Sequence, residues 1–138
     1  MKFCVLVFFL FFSSVIFCQE IGSVEESGHF IKLHKFNDIF SFKYSDAESV
    51  NFKKEFSFTF TGKNDFYSIL IDGFENNKSH QIILQTSNDT IVKLNYRKVK
   101  GELLLYVYQN NLNSKTTGRS TFFSKKQIVE LFGIQQKV

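Results

Sequence analysis

The chain contains no proline and no tryptophan, and its only cysteines are Cys4 and Cys18. Each scarcity removes something. Beyond residue 18 there is no thiol, so disulfide frameworks and thiol nucleophiles are closed to that part of the chain, and a domain built from it must be held by its core. Arginine is scarce as well, since fifteen of the seventeen basic residues are lysine. Neither sign of charge dominates, the formal net charge being +4. A nucleic-acid partner is therefore not expected, because such domains carry a concentrated basic face. The lack of Pro and Trp beside abundant Lys, Asn and Phe is what AT-rich coding produces, and says nothing of mechanism.

The opening, MKFCVLVFFLFFSSVIFCQE, carries one charge, Lys2, before Glu20, and residues 3–18 form an apolar run of sixteen broken only by Ser13 and Ser14. A spanning helix needs about 20 apolar residues. An export signal needs a basic start, an apolar centre of roughly 7 to 15 and a polar exit, and Gln19, Glu20, Gly22 and Ser23 supply the exit. The sequence thus predicts an export signal over residues 1–18, processed at Cys18 and Gln19. Cys18 is also a residue that a lipoprotein signal would acylate, but Phe17 stands where its peptidase requires a small side chain. Membrane attachment is expected only through the signal or through lipidation at Cys18, and the location is exported: periplasmic, cell-surface or secreted. The remaining 120 residues suffice for one domain, read as a flexible lead-in over 19–27 and a single β-rich domain over 28–138.

Alternation dominates that domain. FSFTFTG places Phe56, Phe58 and Phe60 on one side and Ser57, Thr59 and Thr61 on the other, and IFSFKY does the same with Phe40, Phe42 and Tyr44. Period two over this length is a half-buried strand. GHFIKLHKF is read as a strand, Gly62 to Asp65 as a turn, residues 66–71 as a strand and 72–78 as a loop. Residues 80–108 are read as three antiparallel strands with tight turns at Asn88-Asp89 and Lys100-Gly101. ELLLYVY is apolar on both parities, which predicts cover on both faces. The expected cover is a helix over residues 125–132. Ser124 and Gln127 have capping-box spacing, Phe123 and Ile128 staple spacing, and Gly133 with Ile134 the pattern of a Schellman stop. The fold class is mainly all-β: seven or eight antiparallel meandering strands forming a barrel or a sandwich, with one short C-terminal helix packed on it.

Chemistry-bearing constellations are thin. His29 and His34 lie five apart, on opposite faces of a strand, and His80 is remote, so no metal site is expected. Serines are many but G-x-S-x-G is absent. Asp65, Asp72 and Glu75 flank one predicted element and read as turn residues rather than a glycosidic pair. Asp72-Gly73 with Asn76 and Asn77 lacks the order of a calcium loop, and the Asn-x-Ser/Thr patterns at Asn77 and Asn88 are explained as turn chemistry. Lys125 and Lys126 fall in the first turn of the predicted helix, where the macrodipole disfavours cations, and with Arg119 they are the candidate anion site. Sugar-binding faces characteristically use Trp and Tyr, so the Phe stripes are read as interior.

No cofactor and no catalytic residue is expected. The reading is an exported, non-catalytic module that binds a protein, a glycan or a small apolar ligand. An export signal, about eight strands and a final helix are shared with lipocalins, although the early G-x-W is missing. A lipocalin-like barrel carrier of a small apolar ligand is thus one alternative, and an extracytoplasmic hydrolase the other.

Overall fold

The computed structural model describes residues 18–49 and 54–134. The export signal expected over 1–18 lies outside them, Cys18 apart. The alternating segments form two four-stranded antiparallel meanders. The first holds β1 (Cys18–Glu26), β2 (His29–Phe36), β3 (Ile39–Ser45) and β4 (Glu55–Phe60), and is followed by α1 (Lys63–Glu75). The second holds β5 (His80–Thr86), β6 (Thr90–Val99), β7 (Glu102–Asn111) and β8 (Thr116–Arg119), and is followed by α2 (Lys125–Leu131). The chain is thus two successive ββββα units, a repetition with no counterpart in the residues themselves. The hairpins at Asn88-Asp89 and Lys100-Gly101 form as expected, both central residues having positive φ, as type I′ turns require. Ser27 and Gly28 turn β1 into β2 in the same way.

Each sheet turns one parity inward. Ile31, Leu33, Phe42, Tyr44 and Phe58 line the first, and Val92, Leu94, Tyr96, Leu105 and Val107 the second. The sheets form a sandwich-like pair rather than a closed barrel, and they cross steeply. Phe56 of β4 lies against Gly118 of β8, the Ser57 carbonyl accepts from Gln109 of β7 at 3.2 Å, and Thr59 bonds Ser87 just past β5 at 2.6 Å. Successive residues of β4 therefore step across the strands of the second sheet. Aromatic rings fill the space between: Phe42 stacks on Phe58 at 5.1 Å, and Phe66 stands edge-on to both.

Four expectations need correction. Residues 66–71 are not a strand but part of α1, which also takes in 63–65 of the expected turn and 72–75 of the expected loop, and its buried positions Phe66, Leu70, Gly73 and Phe74 keep the helical spacing. Gly73 is what lets α1 lie on β6, because a Cβ there would overlap the Tyr96 ring, and Tyr96 Oη donates to the Leu70 carbonyl at 2.8 Å. There are accordingly two helices rather than one. Residues 19–26, expected to be flexible, are held in β1 by pairing with β2.

The fourth correction concerns α2. Its boundaries are as read: Ser124 Oγ accepts from the Gln127 amide, Gln127 Oε1 accepts from the Ser124 amide, and the Ile134 amide closes on the Val129 carbonyl at 3.2 Å. Its docking is not, since α2 lies on β1 and α1 instead of covering β7. Gly22 of β1 leaves room for the Leu131 carbonyl, and the Phe132 ring sits 5.2 Å from Tyr67 of α1. The outer parity of β7, Leu104, Tyr106 and Tyr108, is half-buried by its neighbours in the sheet.

Candidate functional site

The outer face of the second sheet follows from its register. Ile83, Lys93, Tyr108 and Arg119 stand in one row across β5 to β8; Gln81, Asn95 and Tyr106 form the next, and Arg97 with Leu104 the one beyond. Tyr106 therefore has an arginine on each diagonal. The guanidinium carbons of Arg97 and Arg119 lie 5.9 and 5.6 Å from its ring centroid, within cation–π range. Lys93 is placed likewise over Tyr108 at 5.8 Å. Phe122, 42 % exposed, meets the Tyr106 ring edge-on at 5.3 Å. Gln81 Nε2 donates to Asn95 Oδ1 at 2.6 Å, which fixes both amides on the sheet.

Two clefts share Tyr106 and Arg119. One, of about 330 Å³, is completed by Ala47, Arg97, Ser120, Thr121 and Phe122 and has no carboxylate in its lining. The other, of about 290 Å³, adds Gln81, Lys93, Asn95, Tyr108, Thr117 and Gly118, and Asp46 and Glu48 also line it. Asp46 Oδ1 accepts the Glu48 amide at 3.4 Å and the Arg119 backbone amide at 3.5 Å, so this carboxylate is turned toward main chain. The ion pairs among the described residues are Lys43 with Glu55 and Lys125 with Glu75, and neither arginine side chain is bonded to a described residue. Beneath the sheet, burial pushes the Tyr44 hydroxyl well above its ordinary value, with Asp46 and Tyr108 adding to the effect.

No family model, curated protein or solved structure matches the chain.

The candidate anion residues are not brought together. Lys125 is ion-paired to Glu75 of α1, which answers the conflict with the helix dipole inside the fold. Lys126 lines a cleft of about 630 Å³ in company with Glu26, Glu102 and Glu130. Arg119 belongs instead with Arg97, on the Tyr106 ring. Arg97 and the outward tyrosines were the residues the sequence reading missed, although the rarity of arginine was a usable signal. Cys18 is exposed and opens β1 opposite Phe36, with Gln19 opposite Lys35.

The histidines have separate partners. His29 Nδ1 is 3.4 Å from Ser45 Oγ, and His80 stacks on Tyr96 at 4.6 Å while bonding the Lys78 carbonyl. Among the described residues no group of three or more His, Cys, Asp or Glu is placed to hold a metal ion. Asp65, Asp72 and Glu75, expected around a strand, all lie on α1. A separate cleft of about 400 Å³ opens where β4 meets β5, its apolar part made by Ile39, Phe60, Phe66 and Leu84 and the rest by Thr59, Thr61, Gln85, Thr86 and Ser87.

Proposed function

We propose that this protein is a non-catalytic exported binding module and that its contact face is the outer face of the second sheet, with a saccharide as ligand. The observation that carries the reading is the row of outward tyrosines on β7, set between fixed amides and cations on a rigid sheet. Tyrosine rings offer an apolar platform with a polar tip, and Gln81, Thr117 and Thr121 offer the hydrogen bonds that sugar hydroxyls use. Two clefts meeting at Tyr106 suit a ligand of linked rings. Asp46 and Glu48 both line the second cleft, so release of reducing ends is the outcome that separates a binding face from a glycosidase.

The test is an amide-shift titration of the labelled protein with cellotetraose, mannotetraose, an alginate tetramer and tetragalacturonate. Perturbations confined to residues 93–97, 104–108 and 117–122 are expected from at least one, with no release of reducing ends. If none of the four perturbs that face, the reading is lost, and new reducing ends would make the protein a hydrolase.

A carrier of a small apolar ligand is the second reading, and the cleft beside Ile39, which is 46 % exposed, favours it. Saturable one-to-one fluorescence of N-phenyl-1-naphthylamine, lost in Ile39→Asn, is what that reading requires.

A further inference from the structure

Resting on the saccharide reading, we infer that the cleft between Arg97 and Arg119 takes the carboxylate of a uronic-acid unit, making the ligand an acidic polysaccharide rather than a neutral one. The first observation is compositional. Only two of the seventeen basic residues are arginine, and the fold brings both to one ring from different strands, β6 and β8. Where a point charge is all that a position needs, this chain uses lysine. A guanidinium differs from an ammonium in its planar fork of donors, which meets a carboxylate with two parallel hydrogen bonds and stacks on aromatic rings.

The second observation is electrostatic. Two like charges converge on Tyr106 with no described carboxylate in the cleft lining and no ion pair of their own. Cation–π contact engages the charge of each guanidinium and does not use up its N–H donors, none of which is bonded to a described residue. An anion in the cleft would relieve the repulsion between them. The third observation is dimensional: about 330 Å³ suits a single bulky unit such as a sugar ring, and Phe122 offers an exposed apolar edge beside the arginines. The adjoining cleft, lined by the amides of Gln81 and Asn95 and the carboxylates of Asp46 and Glu48, then takes a neighbouring unit through hydroxyls.

Binding of tetragalacturonate, of its fully methyl-esterified form and of a sulfated galactan tetramer should be compared by calorimetry at low salt, on the protein and on Arg97→Lys and Arg119→Lys. The esterified form keeps the rings and removes the charge. The free acid is expected to bind about tenfold tighter than its ester, and each Arg→Lys variant, folded with an unchanged melting temperature, to lose most of that ratio between acid and ester. Equal affinity for acid and ester overturns the carboxylate site and leaves the saccharide reading standing. Undiminished acid binding by both lysine variants overturns the fork, and tighter binding of the sulfated oligomer overturns the carboxylate assignment. If neither acid nor ester binds, the carboxylate site is overturned, and the saccharide reading is then decided by the neutral tetramers.

Discussion

Tyr96 and Tyr44 are both fully buried, yet their hydroxyls stand in opposite circumstances. Tyr96 Oη donates to the Leu70 carbonyl, whereas Tyr44 Oη has no hydrogen-bond partner among the described residues. A made bond contributes about 1 kcal/mol net, while a buried hydroxyl without one costs about 1 to 3 kcal/mol. Tyr96→Phe should therefore lower stability by about 1 kcal/mol, and Tyr44→Phe should leave it unchanged or raise it. Urea midpoints of the two variants decide the matter, and the reverse order would refute the assignment. The same two residues set an alkaline limit. Burial pushes both hydroxyls up, assisted at Tyr96 by Asp72 and at Tyr44 by Asp46 and Tyr108. The unfolded chain then ionises first, near pH 10. Their stabilisation is full below that pH and is lost as pH rises toward the folded values, by about 1.4 kcal/mol per pH unit for each residue. Stability measured from pH 9 to 11.5 should fall accordingly, and the double phenylalanine variant should fall much less steeply.

At the scale of elements, what the residues made legible was whatever is settled within a few positions of itself. The hairpin at Lys100-Gly101 and both ends of α2 are local chemistry, and they form as read. α1 was misread because Ile69, Leu70 and Ile71 are apolar on both parities and so mimic a strand buried on both faces. The helical signal was present in Phe66, Leu70, Gly73 and Phe74, and its reason is nonlocal, since Gly73 must face the Tyr96 ring. β1 and β8 were missed because they carry little apolar material: only Val24 of β1 and Gly118 of β8 are buried, and each strand is fixed by its partner. The candidate site was illegible for the same cause, as only strand register brings Arg97 and Arg119 to one ring. The docking of α2 can be checked directly. Phe132 is buried among α1 rings, so Phe132→Ala should cost about 3 to 5 kcal/mol, Ser124→Ala about 1 kcal/mol through the lost cap, and exposed Lys126→Ala almost nothing. An unchanged midpoint in Phe132→Ala would detach α2 from the core.

For the whole molecule the question is whether two ββββα units make two folding units. The contacts answer against it, because each helix serves the other half. α1 closes the first unit in sequence but seats Gly73 on Tyr96 of the second sheet, and α2 closes the second unit but packs on β1 of the first. β4 crosses the second sheet from β8 to β5, and Phe66 and Phe132 bring the helices within 6.3 Å ring to ring. Removing either half would expose the inner faces of the other sheet and both helices, and a lone meander buries too little apolar surface to fold by itself. Unfolding should therefore be a single transition, with calorimetric and van't Hoff enthalpies equal at about 80 kcal/mol near 60 °C for a domain of this size. Phe132→Ala should shift that one transition as a whole, because the ring belongs to a core that both sheets share. Fragments 18–78 and 79–134 should be unfolded separately, giving no dispersed amide spectrum alone. Two resolved heat-absorption peaks, or a folded 79–134 fragment, would show that the halves are independent and that the crossing of β4 contributes little to cohesion. A folded second fragment would also carry Arg97, Tyr106 and Arg119 intact, so its binding of tetragalacturonate would then separate the needs of the site from those of the fold.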